Sequence, residues 1–496
     1  MTDPAGPHGA RLSRFLAALF CLALALVLAL AVVWTMRGYA VFNYTEGVVL
    51  GSLAGFDASG LAGLYPPVWS SPPLVLTLYP PVFFWTTAAV DSVLGAADPL
   101  LAPRLVSLAA TAGVGFALVR IRSLFGTGRT WFLVLVGAAA LTPGIQRQLA
   151  AAQVDGLALA WTVAGAFILL RADKLGTRTW LAFVCFALAV FTKQSFVAAP
   201  AAALLHRFAV GHRREACFTA VGFAATVAAG FLLIDMWTAG GFSTHALAAV
   251  TDSGSPVNLA RVMRDSAPTV WVPLVLLMFL GVRGRQRMGF PEVWASLAVL
   301  VHFAAMWKTG ASVNYLLEPA VALIVLALAR SADGPWGRDQ ARAARRLALG
   351  VLTVLVVAST VRGWRVAQGI AQAWGAVRIS IAPYDQGYPL VEVDFFPAVF
   401  EHGGRPYVND PFAFGALAES GTWDPSPLAA DLEARRVPFA LTTIDIEPAL
   451  DEDATTEDLL FAYFWRMSAV RDGLRREYVV VSQGLLNVWV PGENGL

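Results

Sequence analysis

Acids, amides and cations stand where long apolar runs of this chain end. Glu46 lies in "NYTEG", just past an apolar run over 15–36. Arg147, Gln148, Gln153 and Asp155 fill the short gap between two later runs. Lys193 and Gln194 lie in "FTKQSF", and Lys308, Asn314, Tyr315 and Glu318 in "MWKTGASVNYLLEP". A carboxylate within hydrogen-bond reach of a hydroxyl can take its proton as that oxygen attacks. Fixed cations can stabilise an anionic leaving group, lysine as a point charge and arginine as a two-pronged donor. Each residue also has a plainer reading. Lys193 could extend to lipid headgroups, and Glu318 could pair with it. The gathering of these types at corresponding places is harder to dismiss, because ionisable groups at membrane depth are costly.

The elements that must position them are hydrophobic helices. The chain is 57% hydrophobic and only 14% charged, with mean hydropathy +0.62; a soluble domain carries about 25% charged residues. Spans of about 20 apolar residues cross a bilayer. Eleven runs approach that length, near 15–36, 101–119, 131–148, 156–170, 179–193, 195–210, 216–238, 266–282, 290–307, 313–330 and 347–362. Basic clusters alternate between them, at Arg11/Arg14, Arg120/Arg122/Arg129, Arg171/Lys174/Arg178, Arg207/Arg213/Arg214, Arg283/Arg285/Arg287 and Arg330–Arg346. The excess of positive charge on cytoplasmic loops then places the N-terminus in the cytoplasm and residues from about 366 onward outside. The first run reads as a retained span, being longer than a signal-peptide core. Residues 79–95 read as an interfacial helix within a first external loop, 37–100, because a twelfth span would invert the basic loops. That loop holds three Pro-Pro pairs, 66–67, 72–73 and 80–81, among Tyr65, Trp69, Tyr79, Phe83, Phe84 and Trp85. Paired prolines favour rigid, extended backbone.

Charge divides the chain in two. Residues 1–366 carry 28 basic and 15 acidic side chains, a net of +13; residues 367–496 carry 8 and 19, a net of −11. A polytopic module over 1–366 and an acidic, soluble domain over 367–496 follow. The basic residues sit in short loops, so they indicate no nucleic acid. Within the tail, 424–436 reads as a helix, 439–446 and 478–490 as strands with a possible hairpin about 482–484, and "TTEDLLFAYFWRMSAVRDGLRR" as an amphipathic helix. The tail could bind an acceptor or cap the membrane module. Cys21, Cys185 and Cys217 lie in or beside apolar runs and form no disulfide framework. The run 451–458 reads as a solvated loop, without the glycine that a cation-binding loop needs.

The order of these features resembles the polytopic glycosyltransferases of the GT-C fold, in particular the family 39-like group related to protein mannosyltransferases and the lipid A aminoarabinose transferase. The pieces that carry the likeness are "NYTEG", "YPPVFF", "APRLV", "QVDGLALAW", "FTKQSF", "NYLLEP" and a soluble C-terminal domain. The resemblance implies an α-helical polytopic membrane protein of about eleven spans, followed by a small extracytoplasmic α/β domain. It implies a multi-pass protein of the inner membrane that moves a sugar from a polyprenyl-phosphate donor to an envelope glycan, lipid or protein. Glu46 and Asp155 become the catalytic candidates. Lys193, Lys308, Arg104 and Arg147 become candidates for the donor phosphate, and Tyr44, Tyr79, Gln194, Asn314, Tyr315 and Glu318 for substrate. Relatives often place an Asp-Glu pair after the first span, where this chain has Thr45-Glu46; Glu46 is the preferred base, with Asp57 or Asp155 as the alternatives. A divalent metal between Glu46 and Asp155 is optional on this reading. A lipid-linked-sugar flippase or transporter is the alternative, though no internal repeat is visible and the charges avoid the run centres.

Overall fold

The computed structural model describes residues 44–95, 98–126, 151–172, 176–248, 256–266, 289–308, 311, 313–331, 387–392, 396–401, 404–442, 464–465, 467–482 and 487–492. The expected spans near 15–36, 131–148, 266–282 and 347–362 lie outside the described residues. So do the boundary at 366–367, Arg147, Gln148, the acidic run 451–458 and most of the expected 482–484 turn.

Helices dominate the first part of the chain. They are α1 (Tyr44–Ser59), α2 (Leu61–Leu64), α3 (Val82–Leu94), α4 (Leu101–Phe125), α5 (Val154–Leu170), α6 (Thr177–Thr192), α7 (Ala198–Ala209), α8 (Arg213–Trp237), α9 (Gly241–Ala248), α10 (Pro256–Ser266), α11 (Phe290–Ala305) and α12 (Leu317–Ser331). A 3-10 turn, Val313–Leu316, leads into α12. Among the described residues, α4 and α8 are long and apolar enough to cross a membrane. Much of α8 faces outward: Phe218, Val221, Leu232, Leu233, Met236 and Trp237 are all exposed. A contiguous apolar face of that kind needs a non-aqueous neighbour. The inner faces of α4, α5, α6, α7, α11 and α12 share one core, centred on Phe186, Trp294, Phe196 and Leu328.

The sequence reading left 37–78 as loop, whereas Tyr44–Ser59 is helical. Its apolar residues show no single stripe because it is buried on two sides. Val49 and Leu53 pack with Phe83, Phe84, Val106 and Val154. Val48 and Leu50 pack instead with Val391, Phe396, Phe439 and Leu441 of the C-terminal part. Glycines let neighbours come close: a Cβ on Gly55 would lie 2.6 Å from the Gly63 carbonyl oxygen. The segment 79–95 does hold a helix, α3, which ends on Gly95 in the left-handed region at φ 55°, a conformation glycine adopts without a Cβ penalty.

The C-terminal part holds a four-stranded sheet of β1 (Leu390–Val391), β2 (Ala440–Thr442), β3 (Tyr478–Ser482) and β4 (Asn487–Pro491), in the order β1-β2-β4-β3. β1 runs parallel to β2, pairing Leu390 with Ala440. A parallel pair needs a long crossover, and α13 (Phe396–Glu401), α14 (Pro411–Glu419) and α15 (Ser426–Glu433) fill it. β4 is antiparallel to both β2 and β3, so the expected strands pair as a hairpin. Of the amphipathic helix expected over 455–476, the second half is α16 (Ser468–Glu477), which starts after Met467 in non-helical backbone at ψ 128°; most of the first half lies outside the described residues. Leu74 and Leu76 of the Pro-rich loop lie in the same core as Phe414, Trp423, Leu428 and Trp489. The loop and the C-terminal part therefore fold on one another.

Candidate active site

Glu46 occupies the first turn of α1 and is fully buried. Arg104, in the first turn of α4, grips it with two parallel bonds: Nε donates to Oε1 at 2.8 Å and Nη2 to Oε2 at 3.0 Å. The Ala152 N–H donates to Oε1 at 2.8 Å. An arginine at a helix N-terminus opposes the helix dipole, and the carboxylate offsets that charge. Three donors occupy most of the four lone-pair positions a carboxylate offers. The next residue, Gln153, is fastened to α4 through Ser107, whose hydroxyl accepts from the Gln153 N–H at 3.2 Å.

Two residues further along, Asp155 lies in the first turn of α5 and is also fully buried. Lys193 caps the C-terminus of α6 in extended backbone, φ −150° and ψ 116°, which turns its side chain off the helix. Its ammonium donates to Asp155 Oδ1 at 2.6 Å. Asn314, in the 3-10 turn before α12, donates from Nδ2 to the other oxygen at a long 3.4 Å. The ammonium lies 4.7 Å from the Tyr315 ring centroid and 5.7 Å from that of Tyr79. Aromatic faces attract a desolvated cation by about 2 kcal/mol. Burial raises the Tyr79 phenol above its ordinary range, so it is neutral at physiological pH. Gln194 donates to the Leu78 carbonyl at 2.9 Å, fixing the backbone beside Tyr79. Asp155, Lys193, Tyr79, Gln194, Asn314 and Tyr315 thus come together from four separate stretches of chain.

The remaining candidates fall in two other places. The Tyr44 hydroxyl donates to Asp410, accepts from the Phe412 N–H at 2.9 Å, and so ties the start of α1 to the C-terminal part. Burial raises the Asp410 carboxyl to about 6, with Tyr44, the Ala413 N–H and Lys308 pulling it back; Lys308 therefore acts on Asp410. Glu318 accepts from Trp294 Nε1 at 2.9 Å, His302 Nε2 at 2.7 Å and the Ala199 N–H at 3.1 Å. It joins α7, α11 and α12 at one buried point, and the alternative that it pairs with Lys193 does not hold, because Lys193 goes to Asp155.

Three residues outside the expected set hold the Pro-rich loop. Asn409 bonds Leu76 at both backbone atoms, His245 accepts from the Thr77 N–H at 3.0 Å, and the Thr77 hydroxyl donates to Ser52 at 3.0 Å. Asp410 followed by Pro411 is a recognisable helix start, and Asp410 does cap α14 by accepting from the Ala413 N–H. No comparable signal marks the contacts of Asn409, which lie more than 300 residues away. As for a metal, Glu46 and Asp155 each hold a cationic side chain, and among the described residues no third His, Cys, Asp or Glu joins them. This donor set does not fit a divalent ion.

No family model matches the sequence, and no curated protein does. The fold does have solved counterparts. The structure of ArnT from Cupriavidus metallidurans in the apo state superimposes with TM-score 0.57 at 15% identity, over 94% of this chain and 97% of that one. The same protein bound to undecaprenyl phosphate gives 0.55 over the same shares. The apo oligosaccharyltransferase of Archaeoglobus fulgidus gives 0.52 at 12% identity, over 97% of this chain and 75% of that one. The resemblance read from "NYTEG" through "NYLLEP" is thus matched in three dimensions: this chain has the fold of the GT-C glycosyltransferases.

Proposed function

We propose that this chain is a multi-pass inner-membrane glycosyltransferase that moves a sugar from a polyprenyl-phosphate donor to an acceptor outside the cytoplasm. The observation that carries the reading is the buried Asp155–Lys193 pair beneath Tyr79 and Tyr315, in a chain whose fold is shared with a protein solved bound to undecaprenyl phosphate. The N-terminus lies in the cytoplasm and the residues beyond about 366 outside, as the basic loops require.

Asp155 is the better placed base. Among the described residues its Oδ2 meets only the long contact from Asn314, whereas Glu46 already accepts from Arg104 twice and from Ala152. The acceptor hydroxyl gives its proton to Asp155 as its oxygen bonds the anomeric carbon. The bond from that carbon to the phosphate oxygen breaks, and its electron pair leaves with the lipid phosphate. Attack opposite the leaving group inverts the anomeric centre. The growing charge on the phosphate falls to Lys193. Glu46 and Arg104 fix the segment that carries Asp155.

The test is transfer by the purified protein in lipid nanodiscs, supplied with radiolabelled polyprenyl-phosphate sugars and envelope acceptor. Label reaching acceptor in wild type and lost in Asp155→Asn supports the reading. Equal label in both removes Asp155 as base. Label crossing a sealed vesicle without reaching acceptor makes the protein a flippase.

A further inference from the structure

Residues 74–79 run between two proline pairs, 72–73 and 80–81. Proline has no N–H, so the stretch cannot be held by a continuous ladder at either end. Its backbone groups find partners one by one. The Leu74 N–H donates to the Tyr407 carbonyl at 2.7 Å and the Leu74 carbonyl accepts from the Asn409 N–H at 3.0 Å. The Val75 carbonyl accepts from Trp69 Nε1 at 2.8 Å. The Leu76 N–H donates to Asn409 Oδ1 at 2.7 Å, and Asn409 Nδ2 donates to the Leu76 carbonyl and to the Ser52 hydroxyl, both at 3.1 Å. The Thr77 N–H donates to His245 Nδ1, the Leu78 carbonyl accepts from Gln194, and the Tyr79 carbonyl accepts from the Tyr65 hydroxyl at 2.6 Å.

Asn409 makes four of these bonds and uses both amide protons and the amide oxygen. Aspartate lacks the two donors, and alanine leaves a buried N–H and C=O unpaired. The helix beside it is cut to fit: a Cβ on Gly51 would lie 2.6 Å from the Asn409 Cβ. Three residues after Leu76 comes Tyr79, whose ring faces the Lys193 ammonium.

We infer that Asn409 is a positioning residue for the Asp155–Lys193 site: by clasping Leu76 it sets Tyr79 against Lys193. The C-terminal part is then a component of the transfer site and not a cap. This rests on the transfer reading above, but the geometric half can be read without turnover.

The experiment compares wild type, Asn409→Ala, Asn409→Asp and Tyr79→Ala in nanodiscs, using two readouts. The first is acylation of Lys193 by an amine-reactive ester, followed by peptide mass spectrometry. Both Asn409 variants are expected to raise its rate at least tenfold, as Tyr79→Ala does, while labelling of Lys174 stays constant. The second is turnover. Misplacement by about 1 Å costs about a hundredfold in rate, so kcat is expected to fall 10- to 100-fold with KM for the donor little changed. Adding Asn409→Ala to Tyr79→Ala is expected to produce no further fall. Wild-type Lys193 labelling in a folded Asn409 variant would overturn the inference. If wild type shows no transfer at all, the labelling still decides the positioning claim while the transfer reading falls. Should Asn409→Ala not fold, Asn409→Asp carries the same comparison, since it keeps Oδ1 and the backbone N–H.

Discussion

Arg104 holds Glu46 through two parallel hydrogen bonds, with both side chains wholly removed from solvent. Removing one member strands the other charge, a loss of about 3–5 kcal/mol, whereas replacing both with apolar groups of like size is often neutral. Glu46→Gln and Arg104→Met are each expected to lower the unfolding temperature markedly, and the double variant Glu46→Leu/Arg104→Met to recover most of it. Thermal unfolding in detergent measures this. Substantial transfer in the recovered double variant would show that Glu46 supports the site without acting as its base.

Asp155→Asn keeps the shape of the side chain and removes the base. General-base removal costs about 10²–10⁴-fold, so kcat is expected to fall in that range. Donor binding, measured by microscale thermophoresis, is expected to weaken little. A larger effect on binding than on kcat would move Asp155 to a substrate-holding role.

Lys193→Gln leaves a neutral donor in place of the charge. Both kcat and donor affinity are expected to fall, because the phosphate is charged before and after bond breaking. Lys193→Arg is expected to restore part of the binding and less of the rate, since a guanidinium presents its charge in a planar fork where an ammonium fits between two rings. Steady-state kinetics on both variants separates the two effects.

Two groups at the join between loop and C-terminal part titrate with opposite consequences. Asp410 has its carboxyl raised to about 6 by burial, so the folded state prefers the protonated form and gains stability as pH falls from 6 to 4. His245 is lowered to about 4, also by burial. The folded state prefers it neutral, and that contribution is lost as pH falls from 6.5 to 4. At about 1.4 kcal/mol per pH unit, each is on the order of 3 kcal/mol, and they oppose over one window. Asp410→Asn is expected to remove the acid-side gain, so the difference in unfolding temperature shifts in favour of wild type as pH drops from 6 to 4. Unfolding curves at half-unit pH steps test the sign; parallel curves would refute it.

Gly51→Ala directs a methyl at Asn409 Cβ, 2.6 Å away with backbone close behind. Overpacking of that kind costs about 1–3 kcal/mol. The variant is expected to lose that much stability and to expose the Leu76 amide to hydrogen exchange. Gly113→Ala, on an open face of α4, is the neutral comparison.

The helical bundle was legible because apolar length and basic loops are local properties. Runs near 179–193, 195–210, 216–238, 290–307 and 313–330 correspond to α6, α7, α8, α11 and α12. Most of the site was legible for a related reason. Asp155, Lys193, Asn314 and Tyr315 are polar interruptions at the ends of apolar helices, where an ionisable group stands out from its neighbours. Helix α1 was missed because both of its sides are buried, leaving no periodic stripe to detect. Pairings were not legible at all. Nothing in "APRLV" says that Arg104 goes to Glu46, and Asn409 looks like any residue ahead of a helix cap. Such partners are chosen by the packing of segments far apart in the chain.

The fastening of Leu74 and Leu76 by Tyr407 and Asn409 has a consequence for how the protein is made. A ribosome adds about 5–20 residues per second, so more than 300 residues separate the synthesis of the loop from that of its clasp, an interval of tens of seconds. During that time the helices can insert while Leu74 and Leu76 still lack their partners. The clasp on the loop is thus completed last, once the C-terminal part has folded. Nascent chains arrested near residue 400 are expected to be inserted yet to show rapid exchange at the Leu74 and Leu76 amides, and full-length chains to be protected there.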